Sequence, residues 1–220
     1  MSPIIRFDHV SVAAHKKTIL SDISFTLLPG EKTVLSGKSG SGKSSVLRTL
    51  LGLHPIKSGT VYFQEQPLSS SSIQTIRSAT AYIGQEPMLG ADSVRDALLL
   101  PFQFKAHREH RPKQEQLIEV LQRLQLPAGI LEQESSRISG GEKQRIALAR
   151  GLLLGKKLYL LDEVTSALDA ESKQVVFDVF SDPHLTVLSV AHDPEWLERC
   201  DIVFELEAGR LTQVKRNGNS

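Results

Sequence analysis

Short apolar runs of strand length alternate with helix-length stretches along most of the chain, and Gly or Pro marks the joins. Residues 33–36 are β-prone, a Gly/Ser-rich turn follows, and 43–52 reads as a helix. Residues 60–63, 80–83, 158–161, 186–191 and 202–207 read as further strands. The run Leu158-Tyr159-Leu160-Leu161 is continuously apolar, as a strand buried on both faces should be. Strands spaced by helices in this way predict an α/β fold with a mostly parallel sheet. The N-terminal part differs: residues 4–7 and 19–28 are strands with no helix between them, the second ending at Pro29-Gly30, which predicts an antiparallel piece. From 93 to 131 the strand pattern stops. Two helical patterns replace it, 93–100 and 113–124, the latter with Leu117, Val120, Leu121 and Leu124 on one face. The polar loop between them, 105–112, is rich in His and Arg and reads as a solvated surface connection. The expected organisation is one domain over 1–215, with an α-helical subdomain at about 90–140 inserted in the α/β core and a flexible tail at 216–220.

Composition narrows the classes. At 40% hydrophobic and 23% charged the chain is ordinary globular material, not a disordered tail. Twenty-six basic against 25 acidic residues leave a net charge of +1, which argues against general binding to nucleic acid or anionic membranes. Cys200 is the one cysteine, so neither an internal disulfide nor a CxxC site is available. No apolar run reaches the roughly 18 residues of a membrane span, and the richest stretch, 152–161, is broken by Lys156 and Lys157. The expectation is a cytoplasmic protein without direct membrane insertion.

The chemistry starts at Gly37-Lys38-Ser39-Gly40-Ser41-Gly42-Lys43-Ser44, which fits G-x-x-x-x-G-K-[ST] at every fixed position. Glycines let the backbone turn tightly, so that several N–H groups face phosphates. The helix that follows presents its positive end to the same anions. Lys43 is placed to reach the β- and γ-phosphates, and Ser44 to ligate Mg²⁺. A plain Gly/Ser loop is the bland alternative, but the strand before and helix after are the context that a phosphate loop requires. The reading is a P-loop nucleotide-binding core.

The apolar run at 158–161 ends in Asp162-Glu163. Alone, such a pair would more often cap a helix. Behind a phosphate loop, Asp162 is the carboxylate that supports Mg²⁺, through water, and Glu163 is placed to polarise the attacking water as a general base.

Ser139-Gly140-Gly141-Glu142-Lys143-Gln144 opens a helix to about Leu154 and lies 23 positions before Asp162. Here the chain resembles the ATP-binding cassette (ABC) ATPases, whose signature usually reads LSGGQ; this one reads Ile138-Ser-Gly-Gly-Glu. The resemblance implies that Ser139, Gly140 and Gly141 face the γ-phosphate held by a second subunit, so that two ATP are sandwiched between two copies. It also implies that Gln85 is the Q-loop glutamine touching Mg²⁺, that Asp169 of Ser166-Ala-Leu-Asp169 lies in the loop crossing the dimer, and that His192 is the switch histidine contacting the γ-phosphate. It covers about residues 4–211, with six motifs in family order. Two departures stand out. Ala14 falls where the family has an adenine-stacking aromatic, leaving His15 or Phe7 as the alternatives, and a glycine common near 64–66 is absent.

Ser139 lies 95 positions after Ser44, room for a small helical subdomain but not for the coiled coils of DNA-repair relatives. The resemblance therefore implies the separate ATPase subunit of a transporter, at the inner face of the membrane through an integral-membrane permease, whose coupling helix would enter a groove formed between 86 and 100. The motifs are most similar to the small bacterial ATPases paired with iron-efflux-type permeases. Importer and lipoprotein-release ATPases share most of them, and a soluble ABC-type switch acting on a non-transport partner is the alternative. A P-loop small-molecule kinase would lack the signature and the switch histidine.

Overall fold

Residues 2–14 and 17–217 are described by a computed structural model. In chain order the first elements are β1 (Ile5–Ala14), β2 (Lys17–Leu27), β3 (Lys32–Ser36), α1 (Lys43–Leu50), β4 (Ile56–Phe63), β5 (Gln66–Pro67), α2 (Ile73–Ala79) and β6 (Thr80–Ile83). They are followed by α3 (Val94–Leu99), α4 (Gln114–Arg123), α5 (Gly140–Leu153), β7 (Leu158–Asp162), α6 (Ala170–Phe180), β8 (Thr186–Val190), α7 (Pro194–Arg199), β9 (Ile202–Glu207) and β10 (Arg210–Arg216). The chain divides into two compact units: residues 1–80, 157–163 and 183–220 in the first, and 81–156 and 164–182 in the second. The second unit contains the expected helical subdomain and reaches beyond 90–140 on both sides.

In the first unit β9, β3, β8 and β7 lie side by side and parallel, with β10 antiparallel on the outer edge of β9. All five residues of β7 and all five of β8 are buried, which is why their sequence carries no alternation. The second sheet of this unit is antiparallel, in the order β2-β1-β4-β5. Residues 60–63 therefore belong to the antiparallel piece rather than to the parallel sheet. α1 packs Val46, Leu47 and Leu50 into the core shared with Leu35, Leu160, Leu188 and Phe204. Among the described residues no helix is long and apolar enough to cross a membrane.

β1 runs on to Ala14, well past the end at Phe7 that its apolar alternation suggests, because the alternation slips. Phe7 and Val10 are both buried three positions apart, and between them His9 takes φ 50° as the register shifts. β2 slips opposite it, between buried Leu20 and Ile23, where Asp22 has φ 58°. The two bulges are joined by His9 Nδ1 and Asp22 Oδ1 at 2.7 Å, a contact that raises the proton affinity of His9.

The glycine missing near 64–66 has a structural counterpart. The β4–β5 hairpin closes through Gln64 and Glu65, whose φ values of 48° and 62° are those of a type I′ turn. An L-residue in that region costs about 1 kcal/mol or more, which exceeds the entropy a glycine loses on folding. Glu65→Gly is expected to stabilise the protein by about 0.5 kcal/mol, raising its melting temperature by roughly 1–2 °C; a lower melting temperature would contradict this account of the turn.

Positions 216 and 217, the start of the expected tail, are ordered by the fold. β10 continues to Arg216, and Asn217 is pinned: its N–H donates to Asp201 O at 2.9 Å and its Nδ2 to Leu197 O and Cys200 O at 2.8 Å. Residues 218–220 lie outside the described residues. Cys200 is itself buried, and burial, helped by the neighbouring Asp201, pushes its thiol pKa up to about 12.

The second unit is helical. α4 buries Leu117, Val120 and Leu121, and Leu124 at its C-cap is also buried, as the spacing predicts. Arg145 on α5 donates from Nη1 to the carbonyls of Leu124 and Gln125, placing a cation on the negative end of α4. The polar loop at 105–112 holds one 3₁₀ turn, Arg108–His110, and is mostly exposed.

Candidate active site

The loop between β3 and α1 owes its course to three glycines in left-handed or related conformations: Gly37, Gly40 and Gly42, at φ 135°, 77° and 107°. A Cβ on Gly37 would strike the carbonyl oxygen of Leu206, so packing fixes glycine there, whereas one on Gly40 would meet nothing within 4 Å. Lys38, Ser39 and Gly40 face outward, while Ser41 is buried, its N–H donating to Lys38 O at 3.2 Å. Gly42 is the N-cap of α1 and offers no side chain to cap the first N–H groups of the helix.

Lys43, only 4% exposed, folds back along the loop and donates from Nζ to Gly37 O at 2.8 Å and Lys38 O at 3.0 Å. Burial lowers its pKa, and the carboxylates of Glu163 and Asp162 partly offset that. The amine is thus a cation held at a cost within the phosphate loop.

Ser44 and Asp162 are 118 positions apart in sequence, and the Ser44 hydroxyl donates to Asp162 Oδ1 at 2.7 Å. Asp162 ends β7, which lies beside β8, and is buried. A hydroxyl and a carboxylate brought together behind a phosphate loop form an all-oxygen donor set of the kind a hard divalent cation such as Mg²⁺ prefers. These residues fit that ion.

Glu163 follows with φ 52°, left-handed backbone that is unusual for a residue other than glycine. Its N–H donates to Val190 O at 2.9 Å, which holds the turn, and its Oε1 lies 3.5 Å from Nε2 of His192. Both side chains remain partly exposed, at 21% and 47%. A carboxylate and an imidazole are therefore aimed at one another at the rim of the phosphate loop, and each could hold or accept a proton from a bound water.

The remaining expected residues fall in the second unit. Gln85 is exposed, just after β6. Ser139 is the N-cap of α5, and Gly140 and Gly141 form its first turn. Neither glycine has positive φ; a Cβ on Gly140 would meet nothing and one on Gly141 only ordinary contacts, so the chain's own fold does not require them to be glycine. Asp169 caps α6 by accepting from Ser172 N at 2.8 Å, which keeps its carboxyl below the usual range.

Of the two alternatives to Ala14, Phe7 is excluded as a base-stacking residue. It is 2% exposed and stacked on Phe25 with ring centroids 4.7 Å apart, deep in the core. His15 lies outside the described residues.

Two residues acquire importance that the motif reading did not give them. Arg150, near the end of α5, donates to Leu89 O at 2.9 Å and Met88 O at 3.0 Å; burial lowers its pKa. Its signal was a lone cation inside the apolar run Ala147-Leu148-Ala149-Arg150-Gly151-Leu152. The second is Glu142, which accepts from both the N–H and the hydroxyl of Ser139. Arg150 also borders a groove of about 410 Å³ lined by Met88, Leu89, Leu100, Pro101 and Phe104 among others. Met88 and Phe104 are 79% and 64% exposed there, but Leu89 is buried.

Known proteins resemble this chain over most of its length. The ABC transporter family model matches residues 20–166. The chain is 34% identical over 220 residues to the "Probable iron export ATP-binding protein FetA" of Escherichia coli, covering 97% of this chain and 96% of that one. It is 33% identical to the mycobactin import ATP-binding/permease protein IrtB of Mycolicibacterium smegmatis, covering 96% of this chain but 38% of that protein. Among solved structures, a bacterial Atm1-family ABC exporter with ATP bound superposes with a TM-score of 0.85 at 26% identity, over 98% of this chain and 39% of the exporter.

Proposed function

The chain belongs to the ABC transporter family and is an ATPase of it, and we propose that it is the ATP-hydrolysing subunit of an exporter whose membrane-spanning permease is a separate chain. The observation that supports this reading most is the joint arrangement of Ser44, Asp162, Glu163 and His192 behind the phosphate loop. Lys43 and the loop N–H groups would hold the β- and γ-phosphates of ATP, with Lys43 exchanging its two carbonyl partners for phosphate oxygens. Ser44 and Asp162 would hold Mg²⁺, which when bound neutralises charge on the phosphates. Glu163 would take the proton of the attacking water, and His192 would orient it and sense the γ-phosphate.

Two copies of the chain would complete each site. Ser139, Gly140 and Gly141 of one copy would cover the phosphates bound by the other, with Asp169 near the crossing loop. The pair of glycines supports this: they open a helix, where glycine is unfavourable, and no neighbour in their own chain demands it. A surface approached closely from outside would.

The transported material would be iron or another metal, which rests on the likeness to FetA along nearly the full length of both chains. The permease would seat a short helix in the groove bordered by Met88 and Phe104. Exposed apolar side chains beside a concavity favour such a partner. Because Leu89 is buried, the informative variant is Met88→Glu combined with Phe104→Glu, which leaves the core intact. Purified through a tag from detergent-solubilised membranes, the wild-type chain should bring down a multi-span protein, and the double variant should lose it while keeping nucleotide binding. Recovery of soluble partners alone would favour an ATP-dependent switch and overturn the transporter reading.

A further inference from the structure

We infer that Glu142 restrains the closure of the ATP sandwich by engaging the Ser139 hydroxyl that the γ-phosphate needs. The inference rests on the two-copy reading above, in which Ser139 donates to phosphate bound by the other copy.

A serine hydroxyl has one proton to donate. In this structure that proton is committed: Ser139 Oγ donates to Glu142 Oε2 at 2.6 Å, a short bond to an ionised acceptor. The same carboxylate oxygen accepts from Ser139 N at 2.9 Å, and Glu142 N donates back to Ser139 Oγ at 3.3 Å. This is a complete capping box at the start of the 14-residue helix α5. The two bonds from Ser139 hold the carboxyl below the usual range, with Arg145 adding in the same direction, so the group is anionic at neutral pH.

An anion hydrogen-bonded to a serine hydroxyl at a helix N-terminus is what a γ-phosphate would become there. Glu142 thus stands in for the phosphate within its own chain. Closing the sandwich requires the hydroxyl to leave a charged acceptor for another charged acceptor, and it brings phosphate toward a carboxylate one turn away. Glutamine at this position would still accept from Ser139 N, so the cap survives, but it would hold the hydroxyl less strongly and would not repel phosphate. Gly140, beside Ser139, is exposed and clear of its own chain, so a phosphate can approach without displacing anything but this contact.

Glu142 is a positioning residue, and its test is the ATP concentration needed for dimerisation. In the Glu163→Gln background, sedimentation velocity at a series of ATP·Mg²⁺ concentrations should give a monomer–dimer midpoint. Adding Glu142→Gln should lower that midpoint about 10-fold, the size expected for releasing one charged hydrogen bond. The shift should shrink when Ser139→Ala is present as well, leaving only the part due to repulsion, and in Glu142→Gln alone the melting temperature should stay level, since the cap is kept. An unchanged or raised midpoint in Glu142→Gln, or a shift of the same size without the Ser139 hydroxyl, overturns the inference while leaving the sandwich standing. If neither background dimerises with ATP, the sandwich reading itself falls, and this inference falls with it.

Discussion

Glu163→Gln is expected to leave ATP binding in place and to cut turnover by about 10²- to 10⁴-fold, the usual contribution of a positioned general base. The amide keeps the shape of the side chain and can still lie near His192, which the carboxylate reaches at 3.5 Å, but it cannot take the proton of water. The Lys43 and Ser44 hydrogen bonds of the phosphate loop stay in place, and what the variant removes there is the support that the Glu163 charge gives to the Lys43 cation. Steady-state phosphate release and equilibrium binding of a fluorescent ATP analogue separate the two effects. Hydrolysis at the wild-type rate would remove Glu163 from the mechanism.

The second large effect is on binding. Lys43→Met replaces a buried cation by an apolar chain of similar length, leaving Gly37 O and Lys38 O without their Nζ donor. Charge-assisted hydrogen bonds contribute about 1.5–3 kcal/mol, so ATP affinity should fall by about 10- to 100-fold or more, and turnover with it. The direction of the pKa shift strengthens the case. Burial lowers the proton affinity of Lys43, so the fold disfavours its charge, and triphosphate would restore what burial removes. Calorimetry with ATP·Mg²⁺ would check it. Wild-type affinity in the variant would mean that Lys43 serves the loop's own carbonyls and not the nucleotide.

The two variants differ in what they separate, and together they bracket the site: one should bind without turning over, the other should fail at the first step. That contrast is informative because Ser44 lies 118 positions from Asp162 and its neighbour Glu163 in sequence. The phosphate loop was legible because its chemistry is local, eight consecutive residues whose spacing alone states the geometry. Asp162 and Glu163 were legible because a fully buried strand announces itself as an unbroken apolar run, and its end is where charges can emerge.

Other parts were hidden for physical reasons. β1 looked short because a bulge at His9 breaks the period of two, and a reading that counts alternation stops at Phe7. β10 is an edge strand whose residues are almost all exposed, so nothing apolar marked it. α2 buries only Ile76, too little for a helical stripe. Phe7 illustrates the limit for sites: from sequence an aromatic near the expected base-binding loop is a candidate, and only packing shows it stacked on Phe25 inside the sheet. Arg150 was invisible as a positioning group because its partners are backbone carbonyls, which no side-chain motif records.

The interior location of Cys200 has a practical consequence. With its thiol pKa pushed up to about 12 and its side chain out of solvent, the only cysteine in the chain should be nearly silent toward maleimides and disulfide reagents at neutral pH. The native sequence is in effect already a blank background for thiol labelling. A spectroscopic probe placed on an exposed position near the start of α5 would test the proposed closure directly, with no need first to remove the natural thiol and disturb the packing around it.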